Sequence, residues 1–298
     1  MGTRVDVADR RSPPLVPSDV SNRIRLLISD VDGTLVTPEK ELTVASVAAV
    51  DRLRDAGIEF AITSARPPAG LSQFVAPLGL TTPLAAFNGG ALVGPDLTII
   101  EEKVIPDDAV TPTIELLAAH HLAVWVYQGA DWCVLDRDGA HVDREAWICG
   151  CEPTVLEDFT GVDGGVLKIV GVSDDPSAGA AALLAMDGRF GRRVAATRSQ
   201  TYFLDVTHPD ANKGQVVTYL SRLYDIAPAE IATIGDMHND IAMFEVAGLS
   251  IAMGNADDAV KRAAHHVTST NEDDGFANAV NEYILRRQPS RPEGGRRS

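Results

Sequence analysis

Asp30-Val31-Asp32-Gly33-Thr34-Leu35 is the stretch that decides how this 298-residue chain is read. The run before it, residues 24–29, is largely apolar and of strand length. Two carboxylates therefore stand at or just past the carboxyl end of a strand, and Gly33 turns the chain away. In open α/β sheets that rim is where ligands are bound. A polar turn would look similar. A calcium loop would place its last ligand at Glu41, but it needs Gly where Leu35 stands and a helix where the strand is. Aspartates at i and i+2 followed by Gly suit magnesium better, because one side chain and the other residue's carbonyl can take adjacent octahedral positions.

Working outward, Thr43 caps a helical stretch that Gly57 stops, and 58–62 is a second apolar strand. Pro67-Pro68 opens another helix, and 84–87 is a third strand ending at Asn88-Gly89-Gly90. Strand-helix-strand-helix-strand predicts a parallel sheet with right-handed crossovers. The style then changes. A hairpin at 91–102, a helix from 107, strands at 122–127, 132–135 and 166–172, and helices at 142–148 and 176–186 read as a separate α+β module over 88–193. A strand at 202–206 resumes the first style, followed by a helix from Asn212 and further strands at 231–234 and 249–252. The fold class expected is α/β: a Rossmann-like parallel-sheet core, residues 23–87 and 194–285, with an inserted α+β domain. Residues 1–22 read as a disordered leader and 286–298 as a flexible tail.

Apolar residues make up 45% of the chain, enough for a substantial core. The formal net charge of -16 argues against nucleic-acid binding, which needs a basic patch. No apolar run reaches the length of a membrane span, and no apolar core follows the early arginines as in a secretory signal, so a cytoplasmic location is expected. Cys133, Cys149 and Cys151 fit neither a disulfide framework nor, without matching partners, a metal site.

Three further stretches can serve the two carboxylates. Gly235-Asp236-Met237-His238-Asn239-Asp240 is a second acidic loop after an apolar strand. A helix cap needs one carboxylate, not two, and Asp236 would complete a metal's protein ligands. His238 does not make this a zinc site, since the groups around it are hard oxygen donors. Thr63-Ser64 ends the second strand before a helix start, where a hydroxyl and free N–H groups cradle phosphate. Lys213, opening a helix after a strand, can neutralise both carboxylate and phosphate.

Together these pieces make the chain resemble the haloacid dehalogenase superfamily of phosphohydrolases, whose motifs are an Asp-x-Asp-Gly-Thr loop, a Thr or Ser after a strand, a Lys, and a Gly-Asp loop with a further Asp. The run 235–243, the run Met253-Gly254-Asn255-Ala256 and the stretch 271–275 are similar to its Cof-type branch, which carries a large inserted cap, and the resemblance covers about 23–284. The resemblance implies a Mg2+-dependent phosphatase acting on small phosphorylated metabolites through an aspartyl-phosphate. Asp30 would be nucleophile and metal ligand, Asp32 acid/base and carbonyl ligand, and Asp236 the third metal ligand. Phosphate would be held by Ser64, Lys213, Asn239 and the backbone of Val31 and Ala65, with Asp240 in support. The second motif often reads Thr-Gly-Arg-Pro; here it is Ser64-Ala65-Arg66-Pro67, which assigns the hydroxyl to Ser64, with Thr63 as the alternative.

The inserted module would be the lid that selects substrate. Arg66, Asn88, His120, His121, Trp125, Tyr127, Gln128, Trp132 and Lys168 are its candidate contacts, with core packing the favoured fate of the aromatics. A phosphomutase similar to phosphomannomutase, or a non-catalytic phosphometabolite-binding protein, would use the same loops.

Overall fold

The structure, a computed structural model, describes residues 23–198 and 200–287. The expected leader at 1–22 and the tail from 288 onward lie outside the described residues; Arg286 and Arg287 close a last 3-10 turn. The chain opens with β1 (Leu26–Asp30), α1 (Val44–Asp55), β2 (Glu59–Thr63), α2 (Pro68–Leu78) and β3 (Leu84–Ala86). A hairpin, β4 (Ala91–Val93) and β5 (Ile99–Glu102), follows. Next come α3 (Asp107–Ala119), β6 (Ala123–Gln128), β7 (Asp131–Val134), α4 (Val142–Cys149), β8 (Thr154–Val155), β9 (Val166–Val172), α5 (Pro176–Phe190), β10 (Ala195–Thr197) and β11 (Phe203–Thr207). The chain returns through α6 (Lys213–Tyr224), β12 (Ile231–Gly235), α7 (Ile241–Phe244), β13 (Leu249–Ala252), α8 (Asp258–Ala263), β14 (His266–Val267) and α9 (Gly275–Ala279).

Two sheets result. The first has eight strands in the order β14-β13-β12-β1-β2-β3-β4-β5. It is parallel from β14 to β3, and antiparallel only where β4 and β5 extend it. The side-chain alternation of β1 explains its two-sided burial. Leu26 and Ile28 join Val217 and Leu220 of α6 and Phe244 of α7, while Leu27 joins Leu53 of α1, Phe74 of α2 and Phe276 of α9. With apolar residues on both faces, β1 can only be an interior strand.

The second sheet has six strands in the order β10-β11-β9-β6-β7-β8. Helices α3 and α5 cover one face, where Val110, Leu117, Ala182 and Met186 meet Val124, Val126, Ile169 and Leu204. The other face carries Trp125, Tyr127, Trp132 and Phe203, which join the core of the first sheet. Tyr127 packs on Phe87, the residue that follows β3, at 5.2 Å between ring centres.

These pairings redraw the boundaries at 88 and 193–194. The hairpin expected in the inserted module belongs to the first sheet, where Ala91 lies opposite Ala86. The strand expected to resume the core belongs to the second sheet, with Phe203–Thr207 antiparallel to β9. A short apolar strand shows its period in sequence but not its partner, so both were free to pair either way. The inserted unit runs from the turn after Lys103, whose N–H still bonds to Gly90, to the turn at His208.

Candidate active site

β1 lies between β12 and β2, and the chain leaves it in both directions across the sheet. That reversal opens a crevice at the carboxyl ends of the strands. Asp30 ends β1, Thr63 ends β2 and Gly235 ends β12, so the loops singled out in the sequence arrive side by side. Lys213 comes from the first turn of α6, which Asn212 caps by accepting from the Gln215 N–H at 3.1 Å.

Lys213 is fully buried and its ammonium donates to Asp30 and, at 2.6 Å, to Asp240 Oδ1. Asp240 Oδ2 accepts from the N–H groups of Asp236 and Met237, each at 2.8 Å. Both Asp240 oxygens are thus engaged in shaping the loop and holding the lysine. Asp236 is steadied by Thr34, 3.1 Å from Oδ1, and by Asn255, 3.2 Å from Oδ2. Gly33 is required here: its φ is +81°, and a Cβ would fall 2.3 Å from Asp236 Oδ2.

Among the described residues, Asp30, Asp236 and Asp240 bring ligand oxygens within 4.8 Å of one another. Burial raises the Asp30 carboxyl well above the usual range, against the pull of Lys213 and helped by the charges of Asp240 and Asp236. Burial and the Asp240 charge push Asp236 up to about 7. For Lys213 the two neighbouring carboxylates outweigh burial and raise its value. Fully ionised, three carboxylates around one ammonium would carry two excess negative charges in a dehydrated site, which is why Asp30 and Asp236 hold their protons more tightly than usual. A hard divalent cation such as Mg2+ fits that deficit and these oxygen donors. Asp30 and Asp236 have the coordinating capacity, and the Asp32 carbonyl accepts no hydrogen bond among the described residues.

Asp32 is held apart from this cluster. Arg66 grips it with two hydrogen bonds, each 2.7 Å, and Lys40 lies 2.8 Å from Oδ1. Burial opposes ionisation, but these cations outweigh it and hold the Asp32 carboxyl at about 2. Arg66 also donates to the carbonyls of Gly70, at 3.3 Å, and of Ile148 on α4, at 3.1 Å.

The other expected residues divide. Ala65, Asn88 and Asn239 line the crevice with Asp30 and Asp32. Asn239 donates to Asn88 Oδ1 at 3.0 Å, tying the Gly-Asp loop to the segment after β3. Val31, Thr63 and Ser64 are buried behind the crevice surface; Ser64 Oγ accepts from the Arg66 N–H at 3.1 Å, and Thr63 Oγ1 has no partner among the described residues. Lys168 lines the crevice, whereas Trp125, Tyr127 and Trp132 pack against one another at 2–3% exposure. His120, His121 and Gln128 lie away from it. Sequence reasoning missed Lys40, His141, Arg144 and Tyr202, all of which line the crevice. His141 and Tyr202 stack at 3.9 Å although 61 positions (202 − 141) separate them, a pairing with no local signal. Thr34 and Asn255 did stand inside quoted motifs, and their polarity beside Gly was the available clue.

The sequence pattern of the haloacid dehalogenase-like hydrolase family matches residues 27–280 of this chain. The chain is 30% identical over 278 residues to a pyridoxal phosphate phosphatase of Escherichia coli, covering 88% of this chain and 99% of that protein. It is 28% identical over 265 residues to a 5-amino-6-(5-phospho-D-ribitylamino)uracil phosphatase of Bacillus subtilis, covering 87% and 97%. A solved haloacid dehalogenase-like hydrolase from Bacteroides thetaiotaomicron superposes with a TM-score of 0.79 at 27% identity, over 87% of this chain and 99% of that one. The chain therefore belongs to the haloacid dehalogenase-like hydrolase family, as one of its phosphoric monoester hydrolases.

Proposed function

We propose that the protein is a magnesium-dependent phosphatase of small phosphorylated metabolites and that it works through a phosphoryl group carried on Asp30. The observation that carries this reading is the buried cluster of Asp30, Asp236 and Asp240 around Lys213, with Asp32 two residues from the nucleophile. When bound by Asp30, Asp236 and the Asp32 carbonyl, Mg2+ supplies charge neutralisation between an anionic nucleophile and an anionic phosphate. The other roles belong to side chains. Asp30 attacks phosphorus in line, and the P–O bond to the alcohol breaks. Lys213, oriented by Asp240, faces the charge on the transferring group, with Ser64, Asn239 and the backbone at Val31 and Ala65 around the phosphate oxygens.

Asp32 has two tasks in this scheme. It protonates the departing alcohol, then takes a proton from the water that splits the acyl phosphate. Clamped by Arg66 and Lys40 it is a carboxylate, the form that suits the second task. The first task requires the clamp to loosen, and an incoming phosphate dianion competes for both cations. The inserted unit, as a cap, shields the intermediate from stray water.

The crevice, of about 320 Å³, suits a small metabolite. Substrates of the size of pyridoxal phosphate and phosphoribitylaminouracil, on which the two relatives act, fall in this class. The test is phosphate release from a panel of phosphorylated metabolites, with magnesium and with EDTA. Turnover is expected only with magnesium, and Asp30→Asn should lower it by at least about a thousandfold. Asp30→Asn with full magnesium-dependent turnover would remove the nucleophile from this account.

A further inference from the structure

The face of the second sheet that looks toward the catalytic crevice is largely apolar, with Thr197 and Thr207 near its edge and one pair of charges among the described residues. Along β9 the residues on that face include Lys168 and Val170, and along β11 they include Phe203 and Asp205. Lys168 is 8% exposed and Asp205 3%. Lys168 Nζ lies 2.8 Å from Asp205 Oδ2 and 5.8 Å from the centre of the Tyr127 ring. Tyr127 and Thr207 lie opposite Lys168, Val170 and Thr197 lie opposite Asp205, and Trp125, Trp132 and Phe203 share the face.

An ion pair in that setting is a poor way to hold a sheet together. Desolvating two charges costs as much as their attraction returns, and a well-packed apolar pair of similar volume serves stability equally well or better. This pair is also incompletely used. Neither Asp205 oxygen accepts a hydrogen bond of good geometry among the described residues. The Lys168 ammonium has three donors; among the described residues its one ionic partner is Asp205, met off the directional geometry of a hydrogen bond. Yet Lys168 lines the same crevice of about 320 Å³ as Asp30. Asp30 already has its cation in Lys213, and Asp32 has Arg66 and Lys40. Among the described residues, Lys168 is the buried cation of the crevice that neither Asp30 nor Asp32 claims. In a chain of formal net charge -16, that placement is specific.

We propose that Lys168, positioned by Asp205, binds an anionic oxygen on the alcohol part of the substrate, so that the enzyme selects phosphomonoesters whose leaving group carries a carboxylate or phenolate. This specificity rests on the phosphatase reading. The phosphate end is fixed by Lys213 and the strand-end loops, and the distal oxygen by the cap. Such a ligand completes the unused donors of Lys168 with a charge-assisted hydrogen bond. Arg144 also lines the crevice, but it is exposed and has no ion-pair or hydrogen-bond partner among the described residues, so nothing there pre-sets its direction.

The test compares kcat and KM on two matched pairs: glycerol 3-phosphate against 3-phosphoglycerate, and benzyl phosphate against pyridoxal phosphate. The wild-type enzyme should favour the anionic member of at least one pair. Lys168→Met should lower kcat/KM for that member about tenfold or more, chiefly through KM, and change the other member less than about threefold. The double variant Lys168→Met with Asp205→Leu exchanges the buried pair for apolar residues. It should keep the melting temperature and lose the same selectivity. Arg144→Gln should leave the selectivity in place. A wild type with no preference in either pair, a Lys168→Met effect equal on all four substrates, or a double variant that stays selective would each overturn the assignment of Lys168. No magnesium-dependent hydrolysis of any of the four would overturn the phosphatase reading itself, and this assignment with it.

Discussion

Asp236 shows what the fold asks of a single residue. Burial and the neighbouring charge of Asp240 move its carboxyl from the ordinary 3.8 to about 7, and Asp30 shifts in the same direction. A carboxyl whose folded value is raised holds its proton more tightly folded than unfolded. Between the two values the folded state binds more protons, so stability falls as pH rises through that window. Asp32 behaves in the opposite sense: its contribution is present above 3.8 and is lost only as pH falls through about 2, outside the window. In EDTA, therefore, the melting temperature should decline between about pH 4 and pH 7, and Asp236→Asn should flatten the decline. A divalent cation competes with protons for the same oxygens, so magnesium should raise the melting temperature more at pH 8 than at pH 5.5. Scanning fluorimetry across pH, with both additions, reads this directly; a larger magnesium shift at the lower pH would contradict the assignment of Asp30 and Asp236 as ligands.

At the scale of elements, legibility depended on whether the partner was local. The four strand-end loops could be read because each carries its chemistry within a few residues: Asp30 with Asp32, Ser64 with Ala65, Asn212 with Lys213, Asp236 with Asp240. The partners that cross the molecule could not be read. Arg66 reaches Asp32 across 34 positions and the Ile148 carbonyl across 82, which makes α4 a neighbour of Asp32. The sequence marked Arg66 only as a substrate contact. Strand β11 was misplaced for the same reason: its alternation of Leu204 and Val206 with Phe203 and Asp205 shows two faces but not which sheet supplies the neighbour. The contact between α3 and β9 offers a test of how tightly the inserted unit is built. A Cβ on Gly171 would sit 2.6 Å from Leu122 Cδ2 and 2.8 Å from Leu117 Cδ2, two buried side chains wedged between helix and sheet. Gly171→Ala should therefore cost about 1–3 kcal/mol in urea unfolding, with turnover of phenyl phosphate in native buffer unchanged. An unaltered urea midpoint would show that α3 yields freely.

At the scale of the whole molecule, the described residues cross between the two sheets twice, and the hydrogen bonds mark where. Lys103 N–H bonds back to Gly90 in the first sheet, and Ile105 N–H bonds to Val166 in the second, so the outward crossing is at Val104. On return, Thr207 still pairs with Lys168, the Ala211 N–H bonds to the His208 carbonyl, and α6 begins at Lys213. A unit cut at 104 and 209 keeps all six strands of the second sheet and both helices behind it. A unit cut at 88 and 193, where sequence style alone puts the joints, takes the β4–β5 hairpin from the first sheet. It also strips β10 and β11 from the second, exposing an edge of β9 whose seven residues are all buried in the intact chain. Grafting the corresponding segment of the pyridoxal phosphate phosphatase relative therefore gives two different outcomes. The graft at 104 and 209 should fold as a soluble protein, retain magnesium-dependent turnover, and shift its ranking of substrates toward that of the donor, because in the proposed scheme the strand-end loops hold the phosphate and the inserted unit meets the rest of the substrate. The graft at 88 and 193 should aggregate or unfold at a lower temperature. A soluble chimera of the first kind that kept the original ranking would locate specificity in the first sheet's loops, and would remove the inserted unit from the choice of substrate.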